Sequence, residues 1–140
     1  MIIMIHLDSA ISAKNEELEK LSADIGEILK EEKFSPEFIL NVQLALEEII
    51  VNIARHGYCK EAGLIGIRFE TSPEGMSIEI SDSAPKFNPL MMPEPDVEAD
   101  LDEREIGGLG IFLVRKVMDS VSYRYENQKN ILLLKKAKNI

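Results

Sequence analysis

Residues 36–57 read PEFILNVQLALEEIIVNIARHG, and this stretch decides the architecture. Phe38, Val42, Ala45, Leu46, Ile49, Ile50 and Ile53 recur at helical spacing and make one broad apolar face. Ser35 suits an N-cap, Pro36 the first helical position and Gly57 a stop, so a helix runs from Pro36 to about His56. Upstream, Leu18, Leu21, Ile25, Ile28 and Leu29 mark a second apolar stripe on a helix from about Ala13 to Glu32, with Ser9 and Ser12 as candidate N-caps. Met1–Leu7 before it is a strand. Downstream, Leu64–Thr71 and Met76–Ser81 flank Ser72-Pro73-Glu74-Gly75, the pattern of a hairpin. From Asp82 to Ile106 the chain carries Pro85, Pro89, Pro93 and Pro95 and little periodicity, which predicts a long loop of the kind that is usually functional or disordered. Gly107-Gly108-Leu109-Gly110 then opens a third helix from Ile111 to about Asp119, and strands Val121–Tyr125 and Ile131–Lys135, turned by Asn127 to Asn130, complete the order β-α-α-β-β-loop-α-β-β. Helices grouped between hairpins predict an α+β fold: a two-layer α/β sandwich whose mixed, mostly antiparallel sheet carries three helices on one face.

Composition bounds the function. A chain of 140 residues with 45% apolar and 29% charged residues fits one globular domain with a real core. No apolar run reaches the ~18 residues that span a bilayer, and MIIMIHLDSA lacks a basic leader region, so no secretory signal is expected. The single cysteine, Cys59, excludes an intrachain disulfide and a multi-cysteine zinc site. Together these favour the cytoplasm. The net charge of −9 argues against direct nucleic-acid binding. The charge is uneven: Glu94 to Glu105 holds seven acids and one base, a net −6. Such a block is a solvated loop, or a loop whose order depends on a bound cation, nucleotide or partner.

Three clusters can carry chemistry. Glu48, Asn52 and His56 lie four apart and share one face of the second helix, offering a proton acceptor and a hard-cation oxygen ligand; spacing alone also allows Glu48 to sit on a solvated edge beside Glu47. Asp82-Ser83-Ala84-Pro85-Lys86-Phe87-Asn88-Pro89 begins where a strand ends, so Asp82 can accept a hydrogen bond from an exocyclic amine or simply close a turn. Gly107-Gly108-Leu109-Gly110 at a helix start can present backbone N–H groups to phosphate, or serve as a hinge or packing site.

Taken in order, the three resemble the N, G1 and G2 boxes of the superfamily that includes DNA gyrase and histidine kinases, and within it the anti-sigma-factor serine/threonine kinases. The echoes are Glu48 to Asn52 running on through Ala54-Arg55-His56-Gly57-Tyr58, Asp82 with Pro85, Phe87 and Pro89, and Gly107 to Val114 with Arg115 and Asp119. The resemblance implies a Bergerat-type ATP-binding fold as a single domain over 1–140, with an ATP lid at about 84–106. It implies Glu48 as general base, Asn52 as ligand of Mg2+, Asp82 on the adenine amine, and Gly107, Gly108, Leu109 and Gly110 around the phosphates. The resemblance also counts Pro85 and Phe87 among the nucleotide-binding residues, puts Arg55 where related histidine kinases place a phosphate-contacting base, and allows His56 to face the same pocket. The family's G1 box reads Asp-x-Gly, whereas Ala84 stands third here. A methyl there narrows the pocket or, at a positive φ, costs about 1 kcal/mol or more.

The implied activity is ATP-dependent phosphorylation of a serine or threonine on an antagonist (anti-anti-sigma) protein, with a sigma factor or other partner-switch target sequestered and a homodimer possible. A non-catalytic nucleotide-dependent binding module and a detached histidine-kinase catalytic domain are the alternatives.

Overall fold

The computed structural model describes residues 4–12, 14–57, 63–91 and 108–138. Five strands, β1 (Met4–Ser12), β2 (Leu64–Ser72), β3 (Gly75–Asp82), β4 (Ser120–Glu126) and β5 (Lys129–Ala137), form one sheet in the order β1-β2-β3-β5-β4. Every pairing is antiparallel, which goes further than the mostly antiparallel sheet expected. Two connections are hairpins. The other two run through helices: α1 and α2 carry β1 back to its antiparallel partner β2, whereas α3 brings β4 in along the direction of β3, and β5 inserts between them, so no parallel neighbours arise.

The helices are α1 (Asn15–Glu31), α2 (Pro36–Asn52) and α3 (Gly108–Val117). They cover one face of the sheet. Alternation puts Ile65, Ile67, Phe69 and Thr71 of β2 inward, with Ile78 and Ile80 of β3 and Leu132 and Leu134 of β5. Against them pack Ile25 and Leu29 of α1 and all seven apolar positions expected of the second helix, each at most 8% exposed. The expected capping of α2 is present: the Ser35 side chain accepts from the Phe38 N–H at 3.1 Å, and Pro36 occupies the first turn. α1 and α2 approach closely at Gly26, whose missing Cβ leaves room for Gln43 to donate from Nε2 to the Ser22 carbonyl at 3.0 Å.

Several boundaries move. β1 extends to Ser12 by pairing with β2, so Ser9 and Ser12 are strand residues and the N-cap position of α1 falls to Lys14, with no side-chain cap. Strand pairing along β2 outweighs local capping preference there. β1 completes the sheet as an edge strand. α2 ends as an α-helix at Asn52 and passes into a π-helical turn, Ile53–Gly57.

Candidate functional site

The site lies where the C-terminal part of α2 meets the ends of β3 and β5. Glu48 and Asn52 are one turn apart on α2, but their environments differ. Asn52 is buried beside Ile53 in a cleft also lined by Asp82, Phe87, Pro89, Tyr123, Asn130 and Leu132. Its Oδ1 is buried with no hydrogen-bond partner among the described residues. An unpaired buried oxygen costs roughly 1–3 kcal/mol, so it calls for an explanation. Glu48 is half-buried and turns toward α3, where a Cβ built on Gly110 would overlap its Oε2. Glycine at 110 therefore makes room for the carboxylate itself, and α2 meets α3 through that contact.

Asp82 ends β3, almost fully buried. Its Oδ1 accepts from the Ala84 N–H at 3.0 Å and from Asn130 Nδ2 at 3.0 Å. Ala84 is buried and is not among the three described non-glycine residues with positive φ, which are Lys33, Asn127 and Gln128. The departure from the Asp-x-Gly pattern thus carries no backbone strain. Pro85 is exposed, but its carbonyl accepts from Asn130 at 3.2 Å; Phe87 stands at the cleft mouth, 37% exposed. Arg55 is exposed on the π-helical turn, and His56 follows it there with only its backbone described. Gly108, Leu109 and Gly110 form the first turn of α3, with the first two described by backbone alone. Gly107, most of the expected lid (92–106) and the acidic stretch Glu94–Glu105 lie outside the described residues.

Two residues of the site were not foreseen. Asn130, placed in a turn by the sequence, is a buried strand residue, and Tyr123 donates its hydroxyl to Asn130 Oδ1 at 2.6 Å. Burial holds the Tyr123 phenol above its usual range, partly offset by the Phe87 backbone N–H, so the hydroxyl stays a donor. One signal was available: Asn130 continues the inward-facing positions of Leu132 and Leu134, and a polar side chain on a core face must be satisfied. The segment after β3 is also tied to α3, Arg115 Nη2 donating to the Leu90 carbonyl at 2.9 Å. Asp119 goes elsewhere, capping β5 through the Ala137 N–H.

A profile of the histidine kinase-like ATPase domain family matches residues 11–136. The chain belongs to that family.

Within it, the chain is 28% identical over 107 residues to the serine-protein kinase RsbW of Listeria monocytogenes serovar 1/2a, covering 73% of this chain and 68% of that one. It is 32% identical over 100 residues to the protein of the same name from Staphylococcus epidermidis, covering 66% of this chain and 62% of that one. The Acinetobacter baumannii histidine kinase AdeS superposes with a TM-score of 0.51 over 96% of this chain and 70% of its own, at 16% identity, which shows the shared fold. Membership of a kinase-like ATPase family implies that the domain binds ATP. The donor set fits a hard cation: Asn52 Oδ1 is an orphaned oxygen. No cluster of three or more His, Cys, Asp or Glu is present among the described residues, so such an ion would draw its other ligands from phosphate and water, as Mg2+ does. No described helix is long and apolar enough to cross a membrane.

Proposed function

We propose that the domain binds ATP with Mg2+ at the end of the fold where α2 meets β3 and β5 and α3 begins, and phosphorylates a serine or threonine of a small antagonist protein. In this reading it is the anti-sigma kinase of a cytoplasmic partner switch, acting as one domain over 1–140 with a lid at about 84–106 and holding a sigma factor when the antagonist is unavailable. The observation that carries it is the buried, unpartnered Asn52 Oδ1 in a cleft shared with Asp82, one turn from a carboxylate that abuts the glycine opening α3.

Each residue has a task that its surroundings permit. Asp82 accepts a hydrogen bond from the adenine amine, and Pro85 and Phe87 wall the base. Asn52 offers Oδ1 to the cation, which when bound neutralises charge on the phosphates. Gly108, Leu109 and Gly110 offer backbone N–H groups of the first turn of α3 to the phosphates, with Gly107, Arg55 and His56 assigned to the same nucleotide site. Glu48 takes the proton of the acceptor hydroxyl as that oxygen bonds to the terminal phosphorus and the bond to the bridging oxygen breaks, leaving ADP. Phosphoryl transfer depends mainly on positioning and charge neutralisation, so this set suffices.

The test is transfer of radiolabelled terminal phosphate from ATP to the antagonist protein of the same organism. Glu48→Gln should retain ATP binding and lose transfer by about 10²-fold or more. Equal transfer by wild type and Glu48→Gln contradicts the base assignment. ATP binding without any transfer by wild type replaces the kinase with a nucleotide-dependent binding module.

A further inference from the structure

Beyond Asp82 the chain from Ser83 to Asn88 has no regular secondary structure, yet it places Phe87 in the cleft lining, between Asp82 and Pro89. One carboxamide meets it at several points. Asn130 Nδ2 donates to Asp82 Oδ1 at 3.0 Å, to the Ala84 carbonyl at 3.1 Å and to the Pro85 carbonyl at 3.2 Å. On its other side, Asn130 Oδ1 accepts from the Phe87 N–H at 3.0 Å and from the Tyr123 hydroxyl at 2.6 Å. The orientation of the amide is settled by its partners, because the flipped form would set its oxygen against three acceptors. The side chain is 6% exposed, and its strand position pairs directly with Asp82 across β3 and β5. One residue of β5 therefore ties the last residue of β3 and three residues of the following loop, 43 to 48 positions away.

We infer that Asn130, braced by the Tyr123 hydroxyl, is a positioning residue that preforms the Asp82–Phe87 wall and thereby sets which nucleobase the site accepts. The inference rests on the reading of Asp82 as the contact to the base. Adenine presents an exocyclic amine, a donor; guanine presents a carbonyl at the corresponding position, an acceptor. A carboxylate fixed in place accepts from the first and repels the second, and such discrimination is strong only when the site's polar groups cannot rearrange. With Oδ1 of Asp82 held by the Ala84 N–H and Asn130, the carboxylate cannot rotate away without breaking buried hydrogen bonds. Asn130 acts through Asp82 and the loop rather than on the phosphates.

The experiment measures Mg2+-dependent binding of ATP, GTP and inorganic tripolyphosphate to wild type, Asp82→Ala, Asn130→Ala, Asn130→Asp and Tyr123→Phe. Loss of hydrogen bonds of this kind changes affinity by about ten- to a hundredfold. Asn130→Ala should weaken ATP by about that factor, narrow the ATP-to-GTP ratio and leave tripolyphosphate binding unchanged. Tyr123→Phe, which keeps the shape, should move the same way by a few-fold. Asn130→Asp sets two carboxylates side by side, so its ATP affinity should be poorest at pH 8 and recover toward pH 5, where the pair shares a proton. If Asp82→Ala abolishes discrimination while Asn130→Ala and Tyr123→Phe lower only the melting temperature, the clasp is structural and the inference fails. If Asp82→Ala leaves the ATP-to-GTP ratio at the wild-type value, the reading of Asp82 fails first. Should Asn130→Ala not fold, Tyr123→Phe and the pH profile of Asn130→Asp decide.

Discussion

At Gly110 the absence of a side chain has a specific consequence: a Cβ would occupy the position of Glu48 Oε2. The carboxylate is the movable partner, so Gly110→Ala should fold and displace Glu48 rather than break α3. We expect transfer to fall by about 10²-fold, the range of a lost general base, with ATP affinity changed far less; a calorimetric titration beside a transfer assay checks the split. Asn52 carries the opposite signature. Its orphaned oxygen makes it a stability liability in the absence of ligand, so Asn52→Leu should be at least as stable as wild type, by about 1 kcal/mol in urea unfolding. Glu48 and Asn52 were legible in the sequence because helical spacing alone places them together. Asn130 was not, because its five partners lie on other elements and only the inward phase of β5 hints at them.

Among elements, α2 was the most legible, since a strong N-cap, a proline and seven periodic apolar residues all agree. The hairpin β2–β3 was equally clear from its Pro/Gly turn. The end of β1 fell five residues beyond its expected place at Leu7 and the start of α1 two beyond Ala13, because a serine that suits a cap locally also suits an antiparallel partner for β2, and only the tertiary pairing decides. The end of α1 is another such case: Lys33 takes φ 67° with no glycine to mark it, and the Phe34 N–H returns to the Leu29 carbonyl at 3.0 Å. A left-handed lysine costs about 1 kcal/mol relative to glycine. Lys33→Gly should therefore raise the melting temperature by roughly 3 °C without altering ATP affinity, a result that thermal unfolding and one binding isotherm can check.

At the scale of the molecule, the sheet and its helical layer bring Glu48, Asn52, Asp82 and Gly110 to one end of the fold. α2 supplies Glu48 and Asn52, the end of β3 supplies Asp82, and α3 opens against Glu48. The order of elements and the two-layer class were readable from hydrophobic periodicity. The sheet's complete antiparallel pairing and the clasp between β5 and the loop after β3 were not, since both depend on contacts distant in sequence. α3 and the segment after β3 are tied through Arg115 and the Leu90 carbonyl. The central claim is that this end of the fold is a magnesium–nucleotide site built around Asn52. Its most direct test is titration calorimetry of ATP, with and without Mg2+, on wild type and on Asn52→Leu after urea unfolding has shown the variant to be folded. The account predicts magnesium-dependent binding to wild type and its loss in the variant at undiminished stability. Binding unaffected by magnesium, or retained by Asn52→Leu, would contradict it.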